Sequence, residues 1–349
     1  MVSEELSKRE RRVLEAVIRT YVETAEPAGS RALSRRFGLG VSPATIRNTM
    51  SDLEAKGFLY HPHTSAGRIP TNKAYRLYVD SLLSFPPVLA VENELLAGEI
   101  GAGGSGSAIE TILRRAAQTL GILTQELGVA LGPRLERSVL RRLELIRVTS
   151  DRLLMVLTLD GAVVRTVFVE VAGEIAESAL VEVTGVLNER LVGLTLVEIR
   201  RSLSSRLRDA SAERGASELL NIFLQEGELL FDAALPSAES QVLLGAASVL
   251  AEQPEFSEAD RMRRLLALTE RPMALGEAIR NRPNAPGITI TIGAEHSDPR
   301  LEEFTVVTAE YEAGPLTGVI GVIGPTRMSY EKVISLVSHT SRLLSDLLD

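Results

Sequence analysis

The sequence predicts an α+β protein in which a helical N-terminal module precedes antiparallel sheets covered by helices. Apolar residues recur at helical spacing through residues 6–57. Further along, β-branched runs at 288–292 and 304–323 are separated by turn residues, a pattern typical of antiparallel strands. At 349 residues the chain exceeds the roughly 250–300 at which one core stops growing, so we expect two or three domains.

Charge is divided unevenly along the chain. Residues 1–80 carry 13 Lys and Arg against 9 Asp and Glu, a net +4, whereas residues 81–349 carry 25 against 37, a net −12. A basic module on an acidic body is typical of a protein whose module alone meets a polyanion. An ordinary solvated basic face would give the same counts, so charge alone leaves both interpretations open.

Motif searches exclude several classes of enzyme. With no cysteine, the chain has no disulfide scaffold, no thiolate zinc site and no cysteine nucleophile. It also lacks the Gly-Lys-Ser/Thr of a phosphate-binding loop, the His-Glu-x-x-His of zinc proteases and the Gly-x-Ser-x-Gly of hydrolases. The glycines at 101, 103 and 106 match a dinucleotide fingerprint, but no strand precedes them, which favours a flexible linker. We therefore expect no enzyme, no cofactor and no metal.

No targeting or membrane segment is predicted. The first five residues lack the positive charge and apolar run of a signal peptide. The longest mostly apolar run, at 318–324, is far shorter than the roughly 20 residues that span a bilayer. We expect a cytoplasmic protein without a membrane part.

Three helices are predicted at the start of the chain. The first carries an apolar stripe and ends at Glu26-Pro27, and the second covers residues 30–37 before Gly38 and Gly40. Ser42 is a good N-cap and Pro43 suits the first helical position, so a third helix begins here and ends at Gly57. The stripe of the first helix consists of Leu6, Val13, Leu14, Val17, Ile18 and Tyr21.

The third helix has two chemically distinct faces at about 100° per residue. Ile46, Met50 and Leu53 share one narrow arc and are expected to pack against Val17 and Leu33. The opposite side carries groups suited to the DNA major groove, because Arg bonds guanine and Asn bonds adenine bidentately, and methyl groups contact thymine. A plain solvent-facing helix is the alternative. The predicted DNA-binding residues on this helix are Ser42, Ala44, Thr45, Arg47, Asn48 and Ser51.

A β-hairpin is predicted directly after the third helix. Residues 58–60 are strand-like, 61–67 are polar, and Arg68-Ile69-Pro70-Thr71 forms the return strand, so the hairpin resembles a wing. Arg68 beside Gly67 is expected to reach DNA phosphates or the minor groove. His61 and His63 have the spacing of two metal ligands, but no carboxylate or cysteine in the segment completes a site.

The rest of the chain alternates strands and helices. Residues 91–100 are predicted as a polar helix and 98–107 as a flexible linker, followed by a helix at 108–127. Asp160-Gly161 is a hairpin signal. Strands are predicted at 139–149, 153–159, 163–171, 241–245, 288–292, 304–311 and 317–323, and helices at 175–191, 195–209, 214–231 and from Tyr330 onward.

Long strings of residues resemble those of the HrcA family of heat-inducible transcription repressors. These strings are residues 41–54 (VSPATIRNTMSDLE), 62–71 (PHTSAGRIPT), 187–193 (LNERLVG), 254–256 (PEF) and 321–328 (GVIGPTRM). The resemblance implies a winged helix-turn-helix at 1–85, a linker at 86–107, and a GAF-like antiparallel-sheet domain at 108–135 and 236–349. That domain would be split by an inserted α/β dimerisation domain at 136–235, although an insertion at 192–285 stays open.

The resemblance also implies partners and a mechanism. Family members repress chaperone operons by binding an inverted-repeat operator in double-stranded DNA as a homodimer, and the GroEL chaperonin maintains their active form. The main expectation is therefore a dimeric DNA-binding repressor without catalysis. The alternative is a ligand-sensing regulator whose GAF-like domain binds a small metabolite, since glycine-rich strands such as 318–324 permit close ligand approach.

Overall fold

The structure is a computed structural model that divides into two compact units. Unit 1 comprises Met1–Ala130, Leu243–Glu310 and Ile320–Leu343, and unit 2 comprises Leu131–Val242, Tyr311–Val319 and Leu344–Asp349. Both units mix helices with antiparallel sheet. The residues that the structure describes are 6–63, 66–81, 86–101, 109–133, 135, 138–160, 163–173, 175–208, 214–234, 242–280 and 287–348.

The N-terminal module of unit 1 contains the three predicted helices and the predicted hairpin. The helices are α1 (Lys8–Thr24), α2 (Ser30–Phe37) and α3 (Pro43–Ala55). Strands β1 (Leu59–Tyr60) and β2 (Ile69–Pro70) pair antiparallel, and α4 (Asn72–Ser81) follows. The Ser7 hydroxyl and the Glu10 carboxylate cap each other's backbone N–H groups at the start of α1, as a capping box does.

The remaining elements follow in chain order. The helices are α5 (Ala90–Gly101), α6 (Ile109–Thr124), α7 (Glu177–Leu191), α8 (Leu196–Leu207), α9 (Arg214–Ala234), α10 (Ser248–Ala251), α11 (Ala259–Thr269), α12 (Pro272–Arg280) and α13 (Tyr330–Leu348). The strands are β3 (Leu127–Leu131), β4 (Leu140–Arg147), β5 (Arg152–Leu159), β6 (Val164–Glu170), β7 (Val242–Leu244), β8 (Ile288–Ile292), β9 (Phe304–Ala313) and β10 (Leu316–Pro325).

Strands β7, β3, β10, β9 and β8 form a five-stranded sheet in that order. Strands β8 and β9 pair antiparallel from Ile288↔Ala309 to Ile292↔Thr305, as the sequence predicts. The central strands are almost entirely buried, which explains their near-continuous apolar sequences. The sheet therefore joins strands that lie far apart in the chain.

Unit 2 is built on a three-stranded antiparallel sheet in the order β4-β5-β6. One face of the sheet packs with α7, α8 and α9 in a single core that includes Leu143, Met155 and Phe223. The side-chain amide of Asn188 bonds both the N–H and the C=O of Leu143, which satisfies backbone groups of β4. This contact gives a structural role to the 187–193 string.

The structure differs from the predictions at strand β3 and at helices α4, α10, α11 and α12, where the sequence analysis predicts no helix. Strand β3 was expected as the end of a helix and a loop, because a short continuous apolar run has no periodicity that distinguishes a buried strand from a helix. Helix α5 agrees with the helix predicted at 91–100, lies within the segment 86–107 that was assigned to the linker, and buries Leu96 and Ile100. Residues 102–107 of that linker, with Gly103 and Gly106 of the dinucleotide-like pattern, lie outside the described residues, as does Gly161 of the predicted hairpin.

Candidate nucleic-acid interface

Helix α3 begins at a well-defined cap. The Ser42 hydroxyl accepts the backbone N–H of Thr45 at 3.2 Å and lies 3.0 Å from the Thr45 hydroxyl, and Pro43 occupies the first turn. Gly38 and Gly40 have φ of 52° and 71°, so the turn between α2 and α3 needs left-handed backbone that glycine adopts freely. Two of the predicted site residues, Ser42 and Thr45, therefore fix the start of the helix.

The two faces of α3 separate as predicted. Ile46, Met50 and Leu53 are buried, and α3 packs against both α1 and α2. Thr49 is also buried, with its hydroxyl donating to the Thr45 carbonyl. On the outward side Thr45 is half-buried, and the remaining predicted residues are exposed: Ser42, Ala44, Arg47, Asn48 and Ser51.

Arg47 and Asn48 are the two outward residues with the strongest base-reading chemistry. Across the part of the chain that the structure describes, neither side chain makes a hydrogen bond or an ion pair, whereas the Ser51 hydroxyl donates to the Arg47 carbonyl at 3.2 Å. Their polar groups are thus available to an external partner. A guanidinium and an amide one residue apart can each form a bidentate contact with a base edge.

Helix α2 adds basic groups that the sequence analysis did not select. Arg31 and Arg35 are exposed, and neither makes an ion pair within the described ranges, whereas Arg36 pairs with Glu23. The helix has no acidic residue in its first turn. The signal was available in the sequence, because residues 27–76 hold 8 basic residues against 2 acidic ones. These arginines extend the positive surface beyond α3.

The hairpin is anchored by a close backbone approach at Gly67. Ala28 and Arg68 form an antiparallel bridge with N–H···O distances of 2.9 and 3.0 Å in the two directions. A Cβ at residue 67 would overlap the carbonyl oxygens of Pro27 and Ala28, so only glycine fits there. Thr71 closes the other end by donating its hydroxyl to the Gly57 carbonyl at 2.8 Å.

Arg68 makes an intramolecular ion pair with helix α3. Its side chain is only 12% exposed, and Nη2 lies 2.8 Å from Glu54 Oε2 on α3. Glu54 also contacts His61 Nδ1 at 2.7 Å, so one carboxylate connects the hairpin to α3 through two basic side chains. A DNA contact by Arg68 stays a prediction.

The module is further held together by an ion pair between its first and third helices. Lys56 Nζ lies 2.6 Å from Glu10 Oε1. Hydrogen bonds from Lys56 and Ser7 lower the pKa of Glu10 to about 2, so this carboxylate is ionised at any physiological pH. The contact connects the end of α3 with the start of α1.

The described residues contain neither a metal-binding cluster nor a membrane-spanning helix. Among the described residues, no group of three His, Asp or Glu side chains is arranged to hold a metal ion, and His61 is paired with Glu54. No helix in the described ranges is long and apolar enough to cross a membrane.

Comparison with known proteins agrees with the geometry. Residues 110–334 match the family model described as the HrcA protein C-terminal domain. The chain is 36% identical over 345 residues to the heat-inducible transcription repressor HrcA of Chlorobium chlorochromatii strain CaD3, covering 99% of this chain and 98% of the relative. It is 37% identical over 346 residues to the HrcA repressor of Geobacter sulfurreducens, with 99% of both chains covered.

A solved structure described only as a hypothetical protein shares the fold. It covers 99% of both chains with a TM-score of 0.62 at 24% sequence identity. The similarity to the named relatives extends over nearly the full length and is well above 30% identity. The chain therefore belongs to the HrcA family of heat-inducible transcription repressors.

Proposed function

We propose that this protein is a heat-inducible transcription repressor that reads DNA through a winged helix formed by residues 1–85. The observation that carries the proposal is the exposed face of α3, where Arg47 and Asn48 stand free of partners in the described chain. Hydrogen bonds to base edges by these side chains supply specificity, and the hairpin β1–β2 acts as the wing.

Phosphate contacts come from the basic surface around α3. Arg31 and Arg35 on α2 lie exposed without ion pairs in the described ranges, and phosphate contacts set the register of a protein on DNA. Ser42 and Thr45 begin α3, whose free N–H groups attract a phosphate. Arg68 supports the wing through its ion pair with Glu54, and a contact of Arg68 with DNA is tested separately.

The operator is proposed to be an inverted repeat that is read by a homodimer. The inserted dimerisation domain at 136–235 corresponds to the three-stranded sheet and its helices, which share one core. An insertion at 192–285 is disfavoured because it would separate α7 from α8 and α9 in that core. The GAF-like domain then consists of residues 108–135 and 236–349.

An exposed apolar sheet face supports the dimer. Strand pairing places Ile146, Leu154 and Phe168 side by side across β4, β5 and β6, on the face away from the core. Ile146 and Phe168 are 49% and 58% exposed, and Val164 lies on the same face. A second copy of this chain is the proposed partner, because burying an apolar patch drives obligate association.

The GroEL chaperonin is the proposed second protein partner. Pairing of β3 with β10 joins residues 127–131 to residues 316–325, and sheets built from distant strands fold slowly. Slow folding exposes apolar surface, which is what a chaperonin binds. A chaperonin occupied by heat-damaged proteins would then leave the repressor inactive.

Footprinting of the purified full-length protein on its own promoter region tests the proposed function. We expect protection of two half-sites related by two-fold symmetry, and sedimentation of a dimer. The double variant Arg47→Ala/Asn48→Ala should lose this protection while keeping the same far-UV circular dichroism. Protection that is absent, or that persists in the double variant, would contradict DNA reading by α3.

A cavity in unit 1 favours a second candidate, a ligand-sensing regulator. The cavity has a volume of about 240 Å³, and the residues around it include Tyr21, Tyr60, Tyr75 and Arg327. The buried Tyr75 hydroxyl has no hydrogen-bond partner within the described residues, and burial raises its pKa well above the usual value. Thermal-shift screening of small metabolites tests this candidate, because a ligand that binds only the folded protein stabilises it by an amount set by the ratio of its concentration to its dissociation constant.

A further inference from the structure

Arg327 joins the N-terminal module to the C-terminal part of unit 1. It lies in the loop between β10 and α13, and its side chain is only 14% exposed. Nη1 donates to the Val22 carbonyl of α1 at 2.6 Å. Nε and Nη2 donate to the two carboxylate oxygens of Glu255, with Nη2 and Oε2 2.9 Å apart, and Glu255 is equally buried.

The contact with Val22 gives a hydrogen-bond donor to a carbonyl in the last turn of α1. The last four carbonyls of a helix have no partner within the helix, and a positive charge near them is favourable. No basic residue lies in the last turn of α1, so Arg327 supplies both the hydrogen bond and the charge. The hydrogen bonds with Glu255 raise the pKa of Arg327, which keeps the guanidinium charged despite burial.

A second ion pair lies on α4. Arg76 Nε and Nη2 lie 2.7 and 2.6 Å from the two oxygens of Glu295, and Nη2 also donates to the Ile290 carbonyl at 2.8 Å. Burial acts to raise the pKa of Glu295, but hydrogen bonds from Arg76 and the Ile292 N–H outweigh it and hold the pKa below its usual range.

Close packing accompanies the ion pairs. The rings of Tyr75 and Tyr330, both buried, have centroids 5.7 Å apart. Gly293 has a φ of 53°, and a Cβ there would overlap the Asn72 side chain. The start of α4 therefore lies very close to the backbone that follows β8. The module is thus fixed at α1 and at α4, while the outward face of α3 stays exposed.

These contacts give a role to two strings that DNA binding leaves unexplained. Glu255 belongs to residues 254–256, and Arg327 to residues 321–328. We propose that Arg327 and Glu255 are positioning residues for DNA recognition, which fix the module so that the reading helices of a dimer keep one separation. This inference rests on the proposed function as a dimeric repressor.

The physical consequence is discrimination between operators by half-site spacing. Two rigidly held reading helices match half-sites only at the spacing that the dimer sets. A module connected by a flexible chain would reach half-sites at several spacings, with only a gradual loss of effective concentration. Loss of the Arg327–Glu255 contacts should therefore change the dependence of affinity on half-site spacing more than it changes the affinity for a single half-site.

The first test compares operators in which zero to five base pairs are inserted between the half-sites. Full-length wild type should lose at least about tenfold in affinity on the first insertions, whereas Arg327→Met should lose less than about threefold. Arg264→Met is the matched control, because Arg264 forms an exposed ion pair with Glu303 at 2.8 Å. The control should behave as wild type. Equal spacing dependence in wild type and Arg327→Met would overturn the proposal.

The second test measures, without DNA, how firmly the Arg327–Glu255 contacts hold the N-terminal module. The chain has no cysteine, so spin labels can be placed at Ser51→Cys on α3 and Glu310→Cys on β9, both exposed. Distance distributions between the two spin labels, measured by double electron–electron resonance, should be narrow in the labelled protein without further changes and in its Arg264→Met variant. They should be broad in the Arg327→Met variant. Distance distributions of equal width in all three proteins would overturn the positioning role of Arg327. This result is independent of operator binding, so it can be distinguished from failure of the proposed function.

A less disruptive variant keeps the proposal testable if Arg327→Met unfolds. Glu255→Gln keeps the shape of the side chain and removes its charge, so the bidentate contact is weakened rather than lost. It should broaden the distance distribution in the same direction with the urea midpoint nearly unchanged. A narrow distribution in Glu255→Gln together with unchanged spacing dependence would also count against the proposal.

Discussion

Arg327 completes the last turn of α1 from 305 positions away in the chain, through a hydrogen bond of 2.6 Å to the Val22 carbonyl. The helix that supports α3 is therefore completed by a loop near the C-terminus. Because α1 packs against α3, we expect changes in that loop to affect the proposed DNA-binding surface through helix packing.

Substitution of the exposed residues of α3 should affect specific binding selectively. Arg47→Ala and Asn48→Ala are each expected to cost about 1–3 kcal/mol in operator binding, because base contacts carry specificity. Binding to random DNA should barely change. Gel-shift titrations at fixed salt measure both, with Arg264→Ala, at the exposed ion pair with Glu303, as the control. Equal losses on operator and random DNA would count against base reading.

Arg68→Ala is expected to destabilise the module, because it leaves Glu54 and the partly buried hairpin without their ion pair. The expected loss is about 1.5–3 kcal/mol of unfolding free energy, and Glu54→Gln should show much of the same loss. The double variant should cost less than the sum of the two, as coupled residues do.

Urea denaturation of the four proteins in this cycle measures the coupling. Salt titration of DNA binding supplies the contrasting outcome. If Arg68 contacted a phosphate, its removal would reduce the slope of the logarithm of the binding constant against the logarithm of salt concentration by about one unit. The stability of the protein would then be unchanged.

The exposed face of the unit 2 sheet should hold the dimer together. Phe168→Glu places a charge in an apolar patch and is expected to weaken dimerisation by about 2 kcal/mol or more. Val181→Glu is the matched control, because Val181 is equally apolar and exposed but lies on α7. Sedimentation velocity over a concentration series measures the dissociation constant. A dimer that is unaffected by Phe168→Glu would place the interface elsewhere.

Glu126→Gln should stabilise the protein increasingly as the pH rises. Glu126 is buried, and burial raises its pKa well above the usual value, although Gln253 donates to it at 3.3 Å. Below the unfolded pKa, near 4.5, both states are protonated and the stability difference is constant. Above that pH only the unfolded wild type releases its proton, so wild-type stability falls by up to about 1.4 kcal/mol per pH unit.

Urea midpoints of wild type and Glu126→Gln between pH 4.5 and pH 8 measure this difference. The exposed Glu94→Gln provides the control for a general loss of negative charge. A difference that stays constant across this range would mean that Glu126 is ionised in the folded protein.

Chaperonin should raise the yield of active repressor after denaturation. We expect operator binding by refolded protein to increase severalfold when GroEL, GroES and ATP are supplied, because the central sheet pairs distant segments. The chaperonin should be absent from the final DNA complex. Complete spontaneous recovery after a heat pulse, unchanged by added chaperonin, would rule out this dependence.

Local signals explain what could be predicted from the sequence. The cap at Ser42-Pro43 and the arc of Ile46, Met50 and Leu53 place α3 within a residue or two, because capping and periodicity are properties of neighbouring residues. The same arc assigns Arg47 and Asn48 to the exposed side.

Long-range contacts explain what could not be predicted. The side chain of Arg68 pairs with Glu54 rather than facing solvent, and nothing in the order of residues between them indicates that pair. Arg327 and Glu255 were recognised as parts of strings, but their contact with α1 depends on folding of the whole of unit 1. Strand β3 was missed because its burial comes from neighbouring strands that lie far away in sequence.

The order of synthesis adds a consequence to the docking of the module. A ribosome releases residues 1–81, which contain α1 to α4, long before it reaches Glu295, Arg327 and Tyr330, the residues on which the module docks. At about 5–20 residues per second, the intervening stretch takes roughly 10–50 s. During this interval a nascent chain carries α3 without the contacts that fix the module. If the proposed function holds, selective binding to spaced half-sites is therefore acquired only after the last fifth of the chain has left the exit tunnel.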